Sequence, residues 1–279
     1  MHHSGCENGF SLVELLVATA ITFGLGAAVF QLFHHNERVF RDQALILEMQ
    51  QTARMVNSAI ADDIRMAGQA IPRLADIVLP GAGASRLNLR AGFTATETVV
   101  TAPVPFSVAI GAPVNLPVES TSGLSASRQV FLWNEDAWAR AFIDTVYTST
   151  NTLIVTPTAA SAAAITFATS PAISLDEAVA VYRDASANAV RRTTATNTEN
   201  PADPSWAPAN EIATNVTGLV FIYFDAAGTP LDPSVPGFSS KVASIESRVI
   251  VRPSSPLSNG SLPSFTLSIR SFPRNLSYR

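Results

Sequence analysis

The chain has 279 residues, a formal charge of −4 and only 14% charged residues, so its composition indicates no basic face for nucleic acid. Its four histidines fall at positions 2, 3, 34 and 35, and its one cysteine is Cys6. Everything after His35 therefore lacks the groups needed for a Ser-His-Asp triad, a cysteine nucleophile or an ordinary zinc site. We expect no enzyme activity, no catalytic residues, no metal site and no cofactor.

An apolar segment follows the polar residues 1–9. From Phe10 to Phe33 the only ionisable group is Glu14, and these 24 residues are enough to cross a bilayer as one helix. A buried carboxylate without a partner costs several kcal/mol. Two alternatives would offset this cost for Glu14: a positive charge from a partner, or the free amides and the macrodipole of the first helical turn.

The helical spacing continues through residues 34–69 but becomes amphipathic. Glu48, Arg54, Asn57 and Arg65 mostly face away from the apolar stripe, which should lie on a folded domain. Gly68, followed by a proline at position 72, predicts the end of the helix. Such a helix is roughly 90 Å long at 1.5 Å per residue. The stripe consists of Met49, Ala53, Val56, Ile60, Ile64 and Ala67.

The rest of the chain, residues 70–279, is predicted to be rich in β-strands. Residues 71–127 contain many Pro, Gly, Ala, Ser and Thr and are interpreted as loops with short strands. Clusters of β-branched and aromatic residues predict further strands, so the architecture is α+β with an antiparallel sheet. The predicted strands are 86–89, 97–100, 129–133, 141–147, 152–156, 177–182, 211–216, 218–224, 245–252 and 265–272.

Three other features of this region are interpreted without a specific function. The adjacent acids Glu135-Asp136 and Asp176-Glu177 belong to no recognisable carboxylate motif and are read as solvated. Residues 184–210 are polar and are predicted to form a mobile surface excursion, while 225–228 should form a hairpin turn. The tryptophans are interpreted as packing residues rather than partner anchors: Trp133, Trp138 and Trp206.

The N-terminal residues Gly9, Phe10 and Glu14, with Ser11 and the apolar run after them, resemble the signature of type IV prepilins and of type II secretion pseudopilins. The resemblance implies that residues 1–9 are a leader that prepilin peptidase removes after Gly9. It implies that Phe10 becomes a methylated N-terminus and that Glu14 pairs with the N-terminal amine of a neighbouring subunit. Residues 10–33 would then lie first in the membrane and later in a filament core.

Three further segments, 63–68, 215–225 and 269–276, resemble PilW-type minor pilins, and the last two also resemble the J pseudopilin. The implied fold is the pilin lollipop, a long helix with a β-rich domain at one end. The implied function is a minor pilin that contributes structurally to the assembly or initiation of a bacterial type IV pilus. Its location would be the inner membrane with a periplasmic domain, and then the pilus.

Two other functions stay open from the sequence. The first is a pseudopilin of type II secretion, which has the same N-terminal signature. The second is a membrane-anchored binding domain or adhesin that never enters a filament. The expected partners are prepilin peptidase, other pilins through the N-terminal helix, and the inner membrane.

Overall fold

A computed structural model describes residues 11–72, 76–160, 162–197 and 204–273 of the chain. The chain divides into two compact units. One unit combines the chain up to Met49 with the segment Pro253–Pro263, and the other combines Gln50–Arg252 with the chain from Ser264 onward.

A single helix, α1, covers Leu12–Met66, which is 55 residues. Glu14 lies in its first turn and Arg65 in its last, so both charges complement the helix dipole. Gly68 has a φ of 82°, a conformation that costs glycine little, and it therefore ends the helix where the sequence predicted. The long helix of the sequence prediction is confirmed over the described residues.

The β-strands are all antiparallel where they pair, as the sequence predicted. Those before position 150 are β1 Arg86–Ala91, β2 Glu97–Val99, β3 Phe106–Ala109, β4 Val114–Pro117, β5 Gln129–Trp133 and β6 Trp138–Tyr147. Next come β7 Thr152–Ala160, β8 Ala164–Phe167, β9 Ala172–Leu175, β10 Glu177–Asp184 and β11 Ala189–Asn197. The remainder are β12 Ser205–Trp206, β13 Asn210–Ala213, β14 Val216–Phe224, β15 Pro230–Leu231, β16 Ser244–Val251 and β17 Phe265–Ser271, with a short 3-10 helix at Ser239–Lys241.

Four sheets are formed by the described strands. The largest has the order β2-β9-β5-β6-β7-β4, and a two-stranded ribbon pairs β3 with β8. A second sheet has the order β1-β10-β11-β12, with β13 also pairing with β11. The last has the order β15-β14-β16-β17. Together with α1 they make the α+β class that the sequence predicted.

The second half of α1 packs on these sheets through the stripe that the sequence identified. Ala53, Val56, Ile60 and Ile64 are all fully buried. On the sheet side, the alternating residues of β14 place Leu219, Phe221 and Tyr223 on a buried face, as their spacing of two requires. A separate core forms between the largest sheet and the β3-β8 ribbon, and it includes Leu132, Ile143, Leu153, Val155 and Phe167.

The prediction of a mobile surface excursion at 184–210 is wrong for its central part, because Ala189–Asn197 forms strand β11. This strand pairs with β10 on one side and with β12 and β13 on the other. Val190, Thr193 and Ala195 of this strand are buried. A polar segment is able to form an internal strand here because its arginines and Thr193 have hydrogen-bond partners within the protein. Threonine is also β-branched, which suits a pleated strand.

The region 71–127 and its continuation hold more strands than the sequence predicted. β3, β4, β8 and β9 are only four residues each, and their sequences give no periodic signal long enough to separate them from loops. By contrast, the turn at 225–228 is confirmed, because Gly228 N donates to Asp225 O at 3.0 Å and Thr229 N donates to the Asp225 carboxylate at 2.7 Å.

Candidate functional site

The first part of α1 exposes its apolar side chains on every face. All residues from Ser11 to Arg41 are exposed, and an 18-residue window of the helix has a mean hydropathy of 2.0 with none of its residues buried. By length and composition, this is the one helix among the described residues that is able to cross a membrane. An apolar surface on all sides needs lipid or other helices around it. The side chains that form it include Leu12, Leu15, Leu16, Ile21, Phe23, Leu25, Phe30 and Phe33.

Glu14 closes the N-terminus of this helix. Ser11 N donates to Glu14 Oε2 at 3.0 Å, and Val13 N donates to Ser11 Oγ at 3.3 Å. This is a variant of the capping box, because Glu14 reaches back to the N-cap amide while the Ser11 hydroxyl accepts from the second helical amide rather than the third. The sequence analysis missed it, although the spacing Ser-x-x-Glu is its known signal.

The capping box engages only one oxygen of the Glu14 carboxylate. Glu14 is exposed and has no ion-pair partner within the described ranges. A carboxylate accepts about four hydrogen bonds, so acceptor capacity is left for an external donor. The proposed processing residues, Gly9 and Phe10, lie outside the described residues.

The hydroxyls of both threonines inside the apolar segment are satisfied locally. Thr19 Oγ1 donates to Leu15 O at 2.9 Å, and Thr22 Oγ1 donates to Ala18 O at 2.8 Å. These bonds remove the cost of carrying a hydroxyl into an apolar environment. Glu14 has the only ionisable side chain of the span, so it is the only side chain there that is able to form an ion pair with a partner.

Two glycines lie on an uncovered part of the helix in the middle of the span. A Cβ atom at Gly24 or Gly26 would meet no atom within 4 Å. No contact among the described residues therefore requires glycine at these positions. Small residues in a membrane helix allow a second helix to approach closely, and they also lower helix propensity.

The segment Pro253–Pro263 is held to the helix at Asp42, within the first unit. Ser258 N donates to Asp42 Oδ1 at 2.9 Å, and Ser258 Oγ donates to Asp42 Oδ2. These hydrogen bonds, the side-chain one first, lower the pKa of Asp42. The loop is thus fastened to the helix beyond the end of the apolar span.

The second half of α1 carries two polar contacts to the sheets. Asn57 is fully buried; its Nδ2 donates to Leu267 O at 3.0 Å, and Ser247 Oγ donates to its Oδ1 at 2.6 Å. The prediction that Asn57 faces away from the stripe is therefore wrong. Because the amide joins α1 to β16 and β17 at once, it fixes how the helix lies on that sheet.

The second contact is an ion pair. Arg192 of β11 donates to both oxygens of Asp63 at 2.9 Å, and the Asp63 side chain is only 9% exposed. The hydrogen bonds from Arg192 to Asp63 raise the pKa of the guanidinium. The neighbouring Arg191 pairs with Asp184 at 2.8 Å. The basic doublet is therefore engaged by carboxylates of the same chain.

One of the two acid pairs is not solvated, contrary to the sequence interpretation. Asp176 is fully buried beside Arg90, with Nε and Oδ1 3.0 Å apart, and Glu177 pairs with Arg128 at 2.7 Å. Each acid forms an ion pair with a different arginine, so both acids have a structural role. The other pair, Glu135 and Asp136, is exposed as expected.

Within the described ranges, no group of three or more His, Cys, Asp or Glu side chains is placed to hold a metal ion. Comparison with models of known protein families finds none that matches this chain, and comparison with curated proteins finds no significant match.

Proposed function

We propose that this chain is a pilin-like subunit, a minor pilin that contributes structurally to the assembly or initiation of a type IV pilus. The observation that carries the proposal is the two-part helix α1. Its first part is apolar on every face and holds a single charge, Glu14, while its second part is fastened to antiparallel sheets. Such a helix supplies a surface for neighbouring helices and carries a folded domain with it.

In this proposal the apolar segment is held in the inner membrane until a filament forms. Moving the segment from lipid into a bundle of similar helices keeps its side chains in apolar surroundings, so the exchange needs little hydrophobic driving force. Specificity then comes from the polar group. A carboxylate inside such a bundle costs several kcal/mol unless a positive charge pairs with it.

Glu14 is suited to that pairing. Prepilin peptidase would cut after Gly9, and the new amine of Phe10 in a neighbouring subunit would pair with the free oxygen of Glu14. Methylation of Phe10 leaves that amine able to carry its charge. Because only one longitudinal offset brings the charges together, the pair sets the register between two subunits.

The experiment compares Glu14→Ala with Glu37→Ala in the source bacterium. Glu37 is a matched control, since it is an exposed acid of the same helix beyond the span, 3.7 Å from His34. We expect Glu14→Ala to insert in the membrane and fold normally but to be lost from sheared filaments, whereas Glu37→Ala assembles. Normal piliation and normal incorporation of Glu14→Ala would contradict the proposal.

A deletion strain separates the two filament functions. Loss of pili with normal protein secretion supports the minor pilin. Loss of secreted enzymes with normal piliation supports the pseudopilin of type II secretion, since segments 215–225 and 269–276 resemble the J pseudopilin as well as PilW-type minor pilins.

A further inference from the structure

The hairpin between β5 and β6 places two tryptophans side by side. Trp133 and Trp138 are directly opposite each other in the antiparallel register, and opposed residues project from the same face of a sheet. The turn between them is fixed by Asn134, whose Oδ1 accepts hydrogen bonds from Asp136 N at 3.1 Å and Ala137 N at 2.9 Å. The geometry of the turn is thus set by the chain itself.

These residues line a cavity of about 510 Å³ together with Pro72. Small-molecule sites commonly have volumes of roughly 300–1,000 Å³. Both indoles are half-buried and held in place. Trp133 Nε1 donates to Ser174 Oγ at 3.1 Å, and the Trp138 ring meets Phe131 edge-on with centroids 6.0 Å apart. The cavity therefore has preorganised aromatic walls.

The charge at the mouth of the cavity is negative. Glu135 and Asp136 form the tip of the turn, and both are exposed. Neither has an ion-pair partner in the part of the chain that the structure describes, and the described residues that line the cavity include no base. Two carboxylates beside two indoles are the chemistry that attracts a cation, through charge and through the negative ring faces.

We propose that this cavity binds a small, weakly hydrated organic cation that carries a quaternary ammonium group. The lining supplies indole ring faces and carboxylate charge, and a cation of this kind needs nothing more. A quaternary ammonium donates no hydrogen bonds and binds through aromatic faces and charge alone. The site lies within the second unit and is independent of any role in a filament.

The test is a fluorescence titration of the full chain in non-ionic detergent, in a Trp206→Phe background. The chain has three tryptophans, so this background leaves only the two that line the cavity. The probes are choline and its uncharged isostere, 3,3-dimethylbutan-1-ol. We expect saturable quenching by choline and binding of the isostere at least about tenfold weaker, the size of a partly desolvated cation–π and charge contribution. Equal binding of the two probes, or binding of a neutral disaccharide without binding of choline, would overturn the proposal.

Variants locate the site. The double variant Glu135→Gln, Asp136→Asn should weaken choline binding about tenfold. Its control removes two exposed acids outside the cavity, Glu97→Gln with Glu119→Gln, and should bind as before. Unchanged binding in the cavity variant, or an equal loss in the control, would overturn the assignment.

Discussion

The two parts of α1 differ in whether the chain itself covers their apolar side chains. Residues Gln50–Met66 have an apolar stripe on one side, and this chain's own sheets cover it. Residues 12–33 are apolar all round and exposed, although their composition is the more hydrophobic of the two. The stripe is part of a fold, whereas the all-round apolar surface requires surroundings that the single chain does not provide.

The largest expected effect is at Ile60, compared with Ile21. Ile60 is fully buried and Ile21 is 58% exposed. Ile60→Ala should lower the free energy of unfolding by about 2–5 kcal/mol, because it removes packed methyl groups and leaves a cavity. Ile21→Ala should change it by less than about 0.5 kcal/mol. Urea unfolding of the full chain in detergent, followed by near-ultraviolet circular dichroism, measures both. Similar losses at the two positions would break the contrast.

Asn57 sharpens the comparison for polar side chains. Asn57→Ala leaves Leu267 O and Ser247 Oγ without their buried partner and should cost about 1–3 kcal/mol. Asn36, an exposed asparagine of the same helix, is the control, and Asn36→Ala should be nearly neutral. The same unfolding assay applies. A neutral Asn57→Ala would mean that the amide does not fix the helix on β16 and β17.

The ion pair of Asp63 with Arg192 should contribute less. A double-mutant cycle with Asp63→Asn and Arg192→Gln should give a coupling of about 1 kcal/mol, since a third of the Arg192 side chain is exposed and solvent screens the charge. The control cycle uses Arg65 and Asp62, an exposed pair at 2.8 Å in the same helix, with coupling below about 0.5 kcal/mol. Equal couplings would show that the contact with β11 adds nothing beyond a surface pair.

The smallest effect concerns Asp184, at the surface between β10 and β11. The Ser186 hydroxyl and then Arg191 lower the pKa of Asp184 from 3.8 to about 2. A carboxyl with a lowered pKa stabilises the fold above its unfolded value and loses that contribution as the pH falls towards its folded value. The difference in the free energy of unfolding between the unchanged chain and Asp184→Asn should therefore become smaller as the pH falls from about 4 to about 2. A difference that is constant over this range would contradict the assigned contacts.

The sequence was sufficient for features in which apolar residues recur at a regular spacing. The apolar residues of the helical stripe recur every three or four positions, and Leu219, Phe221 and Tyr223 recur every second position. The buried faces therefore followed from spacing alone. The burial of Asn57 and Asp63 did not follow. Their partners, Ser247 and Arg192, lie more than a hundred residues away, and only the fold brings them together.

Composition was misleading where charges have internal partners. β11 looked like part of an excursion because the segment 184–210 is polar, and the pair Asp176-Glu177 looked solvated because both residues are charged. In the fold, Arg191, Arg192, Asp176 and Glu177 all pair with charges of the same chain. Polar content predicts exposure only when the charges have no partners. At the N-terminus, by contrast, Ser11 and Glu14 have a local contact that their spacing alone was able to predict.

The most direct measurement is N-terminal mass spectrometry of this protein, recovered separately from sheared surface filaments and from the cell envelope. The proposal predicts a peptide that begins at a methylated Phe10 in the sheared fraction. The same peptide confined to the envelope would instead favour the pseudopilin. An intact segment from Met1 to Gly9 in both fractions would contradict processing, and with it the role proposed for Glu14.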